Sequence, residues 1–143
     1  MNAMIVLIII NTIIFTCLSV LHFYWAFGGK SFRGAVLPTN KEGKKTLNPG
    51  MVATLIVAVG LAACALITVG NSGAFDKLIP AKLIHYATYC ISVIFFLRAM
   101  GDFKYVGYFK RVKGTAFARQ DTRIYSPLCL IISMSSFVIA FSN

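Results

Sequence analysis

The sequence predicts an all-α fold, an integral membrane antiparallel four-helix bundle. Three observations carry that expectation. Charged residues are missing from long stretches: 1–29, 51–75 and 124–143 contain no Asp, Glu, Lys or Arg, and 83–97 is a shorter run of the same kind. Apolar residues make up 58% of the chain, against roughly 45–50% in soluble domains. The basic residues collect between these stretches rather than inside them. A helix rises about 1.5 Å per residue, so about 20 apolar residues cross a hydrocarbon core of roughly 30 Å. Three runs reach that length outright. The fourth reaches it when Leu78–Pro80 and the tip of Arg98 lie at the interfaces and Lys82 snorkels. A soluble fold with this much uncharged sequence would expose too much apolar surface. Residues 1–143 read as a single transmembrane domain.

The first helix is expected over about 4–27. Asn11 and His22 are its polar members, Tyr24 and Trp25 form an interfacial aromatic belt, and Gly28-Gly29 break it. A cleaved signal is disfavoured. No Lys or Arg precedes the apolar run, no A-x-A pattern follows it, and Ile14-Phe15-Thr16 before Cys17 lacks the small residue of a lipoprotein signal. Residues 30–49 form a basic loop, in which Asn48-Pro49 has the pattern of a cap and first turn.

The second helix, about 50–70, is rich in small residues. Gly60 and Cys64 stand four apart, as do Ala58 and Ala62, a spacing that lets helices approach closely. This helix is the candidate for the centre of the bundle. Internal packing is the favoured use of the pattern, and a homodimer face the alternative. After a short turn at 71–79, the third helix spans about 80–100, opened by Pro80, with His85 and Tyr89 on one face. The fourth runs over about 124–142. Ser126-Pro127 could start it, or Asp121 could cap it; starting at Pro127 would leave it short, so an earlier start with distortion near Pro127 is expected. Short connections give antiparallel neighbours.

The net charge is +10. Nucleic acid could explain it, but the membrane explains it better. Five basic residues lie in the first loop (Lys30, Arg33, Lys41, Lys44, Lys45) and seven in or beside the third (Arg98, Lys104, Lys110, Arg111, Lys113, Arg119, Arg123). Only Lys77 and Lys82 flank the second. Cytoplasmic loops carry the excess of Lys and Arg, so both termini are expected outside. From Phe103 to Lys113, aromatics alternate with cations, the composition of a segment lying among lipid headgroups. Membrane lipids, and not nucleic acid, are the expected partners.

Ionisable groups near a membrane face mark candidate sites. Under this topology His22 and Trp25 end the first helix, Arg98 and Asp102 end the third, and Asp121, Arg123 and Tyr125 enter the fourth at the same level. Arg98 and Asp102, four apart, are able to pair. The functional reading is a pocket in which Arg98 and Arg123 hold a phosphate or carboxylate by forked hydrogen bonds, Asp102 and Asp121 orient the guanidiniums, and His22 binds or moves a proton. The competing reading is a set of salt bridges pinning helix ends. A second cluster of His85, Tyr86 and Tyr89 reads as a core histidine hydrogen-bonded to a tyrosine. A proton path between His85 and His22 would need Asn11, Thr16, Thr68, Thr88 and Ser92 as steps, and no acid sits at mid-membrane.

Cys17, Cys64, Cys90 and Cys129 fall one per helix without metal or redox spacing, so they read as small apolar residues. No cofactor or metal is expected. Metalloprotease, nucleophile-elbow and phosphate-loop signatures are missing; Gly29-Lys30-Ser31 lacks the required first glycine, since position 24 is Tyr24.

Three stretches together resemble a bacterial family of small four-helix membrane proteins known as domain of unknown function 3995. They are His22 to Gly29 (HFYWAFGG), Leu97 to Asp102 (LRAMGD), and Phe117 to Asp121 (FARQD) continuing through Tyr125 to Cys129 (YSPLC). The resemblance covers nearly the whole chain, and its third stretch is the most specific. It implies a bacterial cytoplasmic membrane protein and brings no catalytic roles. Three functions follow from the residues: binding an anionic amphiphile or lipid at the cytoplasmic leaflet, which leads; an accessory subunit packed on a larger membrane partner; and an intramembrane enzyme using His22 with Asp102 or Asp121 as acid–base groups.

Overall fold

The computed structural model describes residues 2–30, 50–102 and 104–142. Within them the chain forms four long helices: α1 (Ala3–Ala26), α2 (Met51–Gly70), α3 (Ala81–Met100) and α4 (Ala116–Ser142). Each is long and apolar enough to cross a membrane, and they pack together as a bundle. Their outward faces carry residues such as Ile13, Ile56, Leu66, Ile94 and Met134, all exposed. Such a surface is stable against lipid and not against water, so this is a multi-pass membrane protein.

The broad contacts lie within two pairs: α1 lies along α2, and α3 along α4. The two pairs meet through narrower α1–α4 and α2–α3 seams, which closes a ring with no helix at its centre. The core at mid-height is Phe15, Leu61, Ala65, Ile91 and Ile132, with the Phe15 and Phe95 rings 5.4 Å apart. The expectation that α2 sits centrally is therefore corrected. It buries one stripe, Thr54, Ala58, Leu61, Ala65 and Thr68, which recurs about once per turn and faces its neighbours. Gly60 is exposed, with no described residue near its Cβ position.

Each seam of the ring holds an interhelical hydrogen bond. Ser19 donates to the Ala58 carbonyl at 2.8 Å, joining α1 to α2. Asn71, just past α2, donates to Thr88 of α3 at 2.8 Å. Ser92 and Ser133 each donate to the other's carbonyl, at 2.9 and 2.8 Å, joining α3 to α4. Asn11 donates to Ser136 at 3.2 Å and accepts from Ser135 at 2.8 Å, joining α1 to α4. Hydrocarbon solvates no polar group, so each hydroxyl placed inside must find a protein acceptor. Asn11, Thr88 and Ser92 are thus engaged as fasteners. Thr16 and Thr68 donate back to the carbonyls of Thr12 and Cys64 in their own helices.

Helix α4 begins earlier than the sequence suggested. The Thr115 side chain caps it by accepting from the Ala118 N–H. After Ala116–Gln120 the helix widens into a π turn over Asp121–Tyr125 and resumes as an α-helix over Ser126–Ser142. The widened turn ends with the Ser126 N–H bonded to the Asp121 carbonyl. It falls immediately before Pro127, which has no N–H to continue the ladder. The distortion expected near Pro127 is this turn. The expected cap at Asn48-Pro49 lies outside the described residues; α2 starts after Gly50.

Candidate functional site

The π turn places Asp121 at the end of the bundle that carries residues 101–115, and its side chain is fully buried. A buried carboxylate needs several donors, and Asp121 has four. Oδ1 accepts from Arg98 Nη2 at 3.2 Å. Oδ2 accepts from Lys110 Nζ at 2.9 Å, from the Gly107 N–H at 2.7 Å and from Ser126 Oγ at 3.3 Å. Lys110 is itself buried, and its ammonium spends its remaining donors on the Gly107 carbonyl (2.9 Å) and Thr122 Oγ1 (2.7 Å).

The loop from 101 onward delivers these groups by folding back against the end of α3. The Tyr108 N–H bonds to the Ala99 carbonyl at 3.0 Å. Gly101 and Gly107 lie against each other with φ of +91° and +86°. A Cβ on either would strike the backbone of the other's segment, so this crossing requires glycine twice. Asp102 Oδ1 accepts from the N–H groups of Lys104, Tyr105 and Val106 at 2.9, 2.7 and 2.9 Å. Burial pulls the Asp102 carboxyl upward, but these three donors outweigh it and hold it below the usual carboxylate range.

The expected residues therefore separate into groups. Arg98 pairs with Asp121 and not with Asp102. Gly101 ends the helix between Arg98 and Asp102, so the i, i+4 geometry never forms, and Asp102 orients backbone rather than a guanidinium. Tyr125 packs its ring near Phe117, at 6.2 Å between centroids. Arg123 is exposed. His22 and Trp25 form an edge-on pair on α1, ring centroids 5.1 Å apart, and His22 Nδ1 donates to the Leu18 carbonyl at 2.7 Å. Trp25 is buried and Tyr24 exposed, so only Tyr24 is placed to serve as an interfacial aromatic. For the acid–base grouping, no hydrogen bond joins His22 to Asp102 or to Asp121 among the described residues: His22 Nδ1 is engaged by Leu18, Asp102 by its own loop, and Asp121 by Arg98, Lys110, Gly107 and Ser126. Phe103 lies outside the described residues.

Lys110, Gly107 and Ser126 were missed as members of this site. The alternation of aromatics with cations assigned Lys110 to the headgroups, where its neighbour Arg111 is indeed exposed. Nothing in the local pattern separates the two cations. One guanidinium nitrogen stands out in the assembled site. Arg98 Nη1 is buried and has no hydrogen-bond partner among the described residues.

The model of the family described as protein of unknown function DUF3995 matches residues 15–136, and the chain belongs to that family. The matched span includes all of the Arg98–Lys110–Asp121 cluster. No curated protein and no solved structure matches the chain.

Proposed function

We propose that this protein holds an anionic amphiphile, a lipid bearing a phosphate or carboxylate, at the cytoplasmic leaflet of a bacterial inner membrane, with Arg98 meeting the charge. The observation that carries this reading is the buried Nη1 of Arg98, which has no hydrogen-bond partner among the described residues. Leaving a buried donor unbonded costs about 1–3 kcal/mol, and more for a charged group. A headgroup oxygen would remove that cost and let the guanidinium bridge Asp121 and the headgroup. Charge balance supports the same reading. Lys110 already neutralises Asp121 at 2.9 Å, which leaves the Arg98 charge in surplus. Arg111, Arg119 and Arg123 are exposed around it and would draw anionic headgroups to this end.

Native mass spectrometry of the gently solubilised protein tests the reading, comparing the natural chain with Arg98→Ala. The variant keeps Lys110, Gly107 and Ser126 on Asp121 and should fold. A discrete lipid mass on the natural chain and its loss in the variant is the expected result. Bare protein in both samples would reject it. The orientation, with both termini outside, rests on the basic loops. Single cysteines at Ser72 and Lys113 check it: only the first should react with an impermeant reagent in intact cells.

A second reading, an accessory subunit or homodimer, draws on Gly60, whose outward face is open to a close-packed helix. Gly60→Leu would then dissociate a complex visible in cross-linking.

A further inference from the structure

We infer that the opposite end of the bundle carries a second binding site, a cleft that takes a zwitterionic amphiphile. This goes beyond the Arg98 reading and does not depend on it. A cleft of about 720 Å³ opens there between the start of α1, the 71–80 turn and the start of α3. Ligand pockets run to roughly 300–1,000 Å³, so an ammonium–phosphate headgroup fills only part of this one.

The lining specifies the rest. Ile5, Ile8 and Ile84 give it apolar wall, and Asp76, Lys82 and His85 give it charge and hydrogen-bonding capacity. Lys82 and His85 stand three apart on α3 and so share a face. Neither the Asp76 carboxylate nor the Lys82 ammonium has a hydrogen bond or ion pair among the described residues, and they do not pair with each other. His85 is held edge-on by Tyr89, at 4.9 Å between centroids, with both ring nitrogens unbonded among the described residues. A simple anion would meet Lys82 and His85 but be repelled by Asp76. A simple cation would meet the converse. A molecule with an ammonium and a phosphate or carboxylate satisfies both signs, and the apolar wall adds an alkyl chain. Phosphatidylethanolamine-type chemistry has these parts.

The test uses the full chain in a non-ionic detergent, titrated by native mass spectrometry with lysophosphatidylethanolamine, lysophosphatidylglycerol and free phosphoethanolamine. The first should bind about fivefold tighter than lysophosphatidylglycerol, the upper end of what one exposed ion pair supplies, and tighter also than free phosphoethanolamine, which lacks the alkyl chain. Asp76→Asn should abolish the preference over lysophosphatidylglycerol, and Lys82→Gln should weaken both lipids. Both side chains are exposed, so the variants should fold, and an unchanged melting profile verifies it. Equal binding of the two lipids, or a preference that survives Asp76→Asn, would overturn the site. Free phosphoethanolamine binding as tightly as its lipid would overturn the amphiphile. The lipid mass lost on Arg98→Ala is a separate adduct, so either site can fail alone.

Discussion

Lys110 Nζ lies 2.9 Å from Asp121 Oδ2, and both side chains are almost wholly withdrawn from the surroundings. Arg98 reaches the other oxygen at 3.2 Å from a side chain that is 36% exposed. The two cations therefore hold the same carboxylate on different terms. Removing one partner of a buried pair costs about 3–5 kcal/mol, because the other charge is left uncompensated, whereas a partly exposed pair contributes about 1 kcal/mol or less. Lys110→Met should lower the melting temperature in detergent far more than Arg98→Ala. Equal losses would mean that Arg98 and Lys110 hold the carboxylate on the same terms, and a larger loss for Arg98→Ala that Arg98 is the principal counterion.

The crossing of Gly101 and Gly107 makes a second prediction. A non-glycine residue forced into such a conformation costs about 1–3 kcal/mol, and here its Cβ would also collide with backbone. Gly107→Ala should withdraw the 107 N–H from Asp121 and open the loop. Tryptic cleavage after Lys110 and Arg111 should accelerate. At Gly60, which is open on the outer face of α2, alanine should instead be neutral or slightly stabilising for the monomer, since alanine is the better helix former by about 1 kcal/mol.

The spans were legible because their signal is local: a helix long enough to cross a membrane needs only a run of uncharged residues. The start of α4 was not, because Arg119, Asp121 and Arg123 interrupt the run while the helix continues through them from its Thr115 cap. The candidate site was legible as a level in the bundle but not as a set of pairs. Spacing offered Asp102 to Arg98, and a single residue with φ of +91° at Gly101 ended the helix between them. The true partner is set by the π turn, a tertiary arrangement that spacing does not encode. Lys110 entered the interior for the same reason, since the fold-back of the loop decides which cation meets the buried carboxylate.

Asp102 predicts a pH dependence confined to its loop. Its carboxyl is held below the usual range by the Lys104, Tyr105 and Val106 N–H groups, while in the unfolded chain it returns to about 3.9. A depressed folded value contributes stability that is present above the unfolded value and lost as pH falls through the folded one. The amide resonances of 104–106 should therefore hold steady down to about pH 4 and shift together below it. Asp102→Asn should remove that titration. A shift starting well above pH 4 would mean that the carboxyl is not held by these donors.

The Ser92–Ser133 exchange offers a measurement of what fastens the α3–α4 seam. Each hydroxyl donates to the carbonyl of the other residue, so either alanine substitution breaks one bond and leaves the other. The partner hydroxyl keeps its acceptor in each single variant, and neither change leaves a buried donor stranded. The losses should therefore be nearly additive, unlike those at Asn11, whose amide serves Ser135 and Ser136 at once. Interhelical hydrogen bonds in membranes average about 0.6 kcal/mol, because the separated helices find other partners. Ser92→Ala and Ser133→Ala should each cost about that much, with a coupling energy near zero in a double-mutant cycle. Coupling well above 1 kcal/mol would show that the two bonds form only together, making the exchange a single cooperative clamp between the helices.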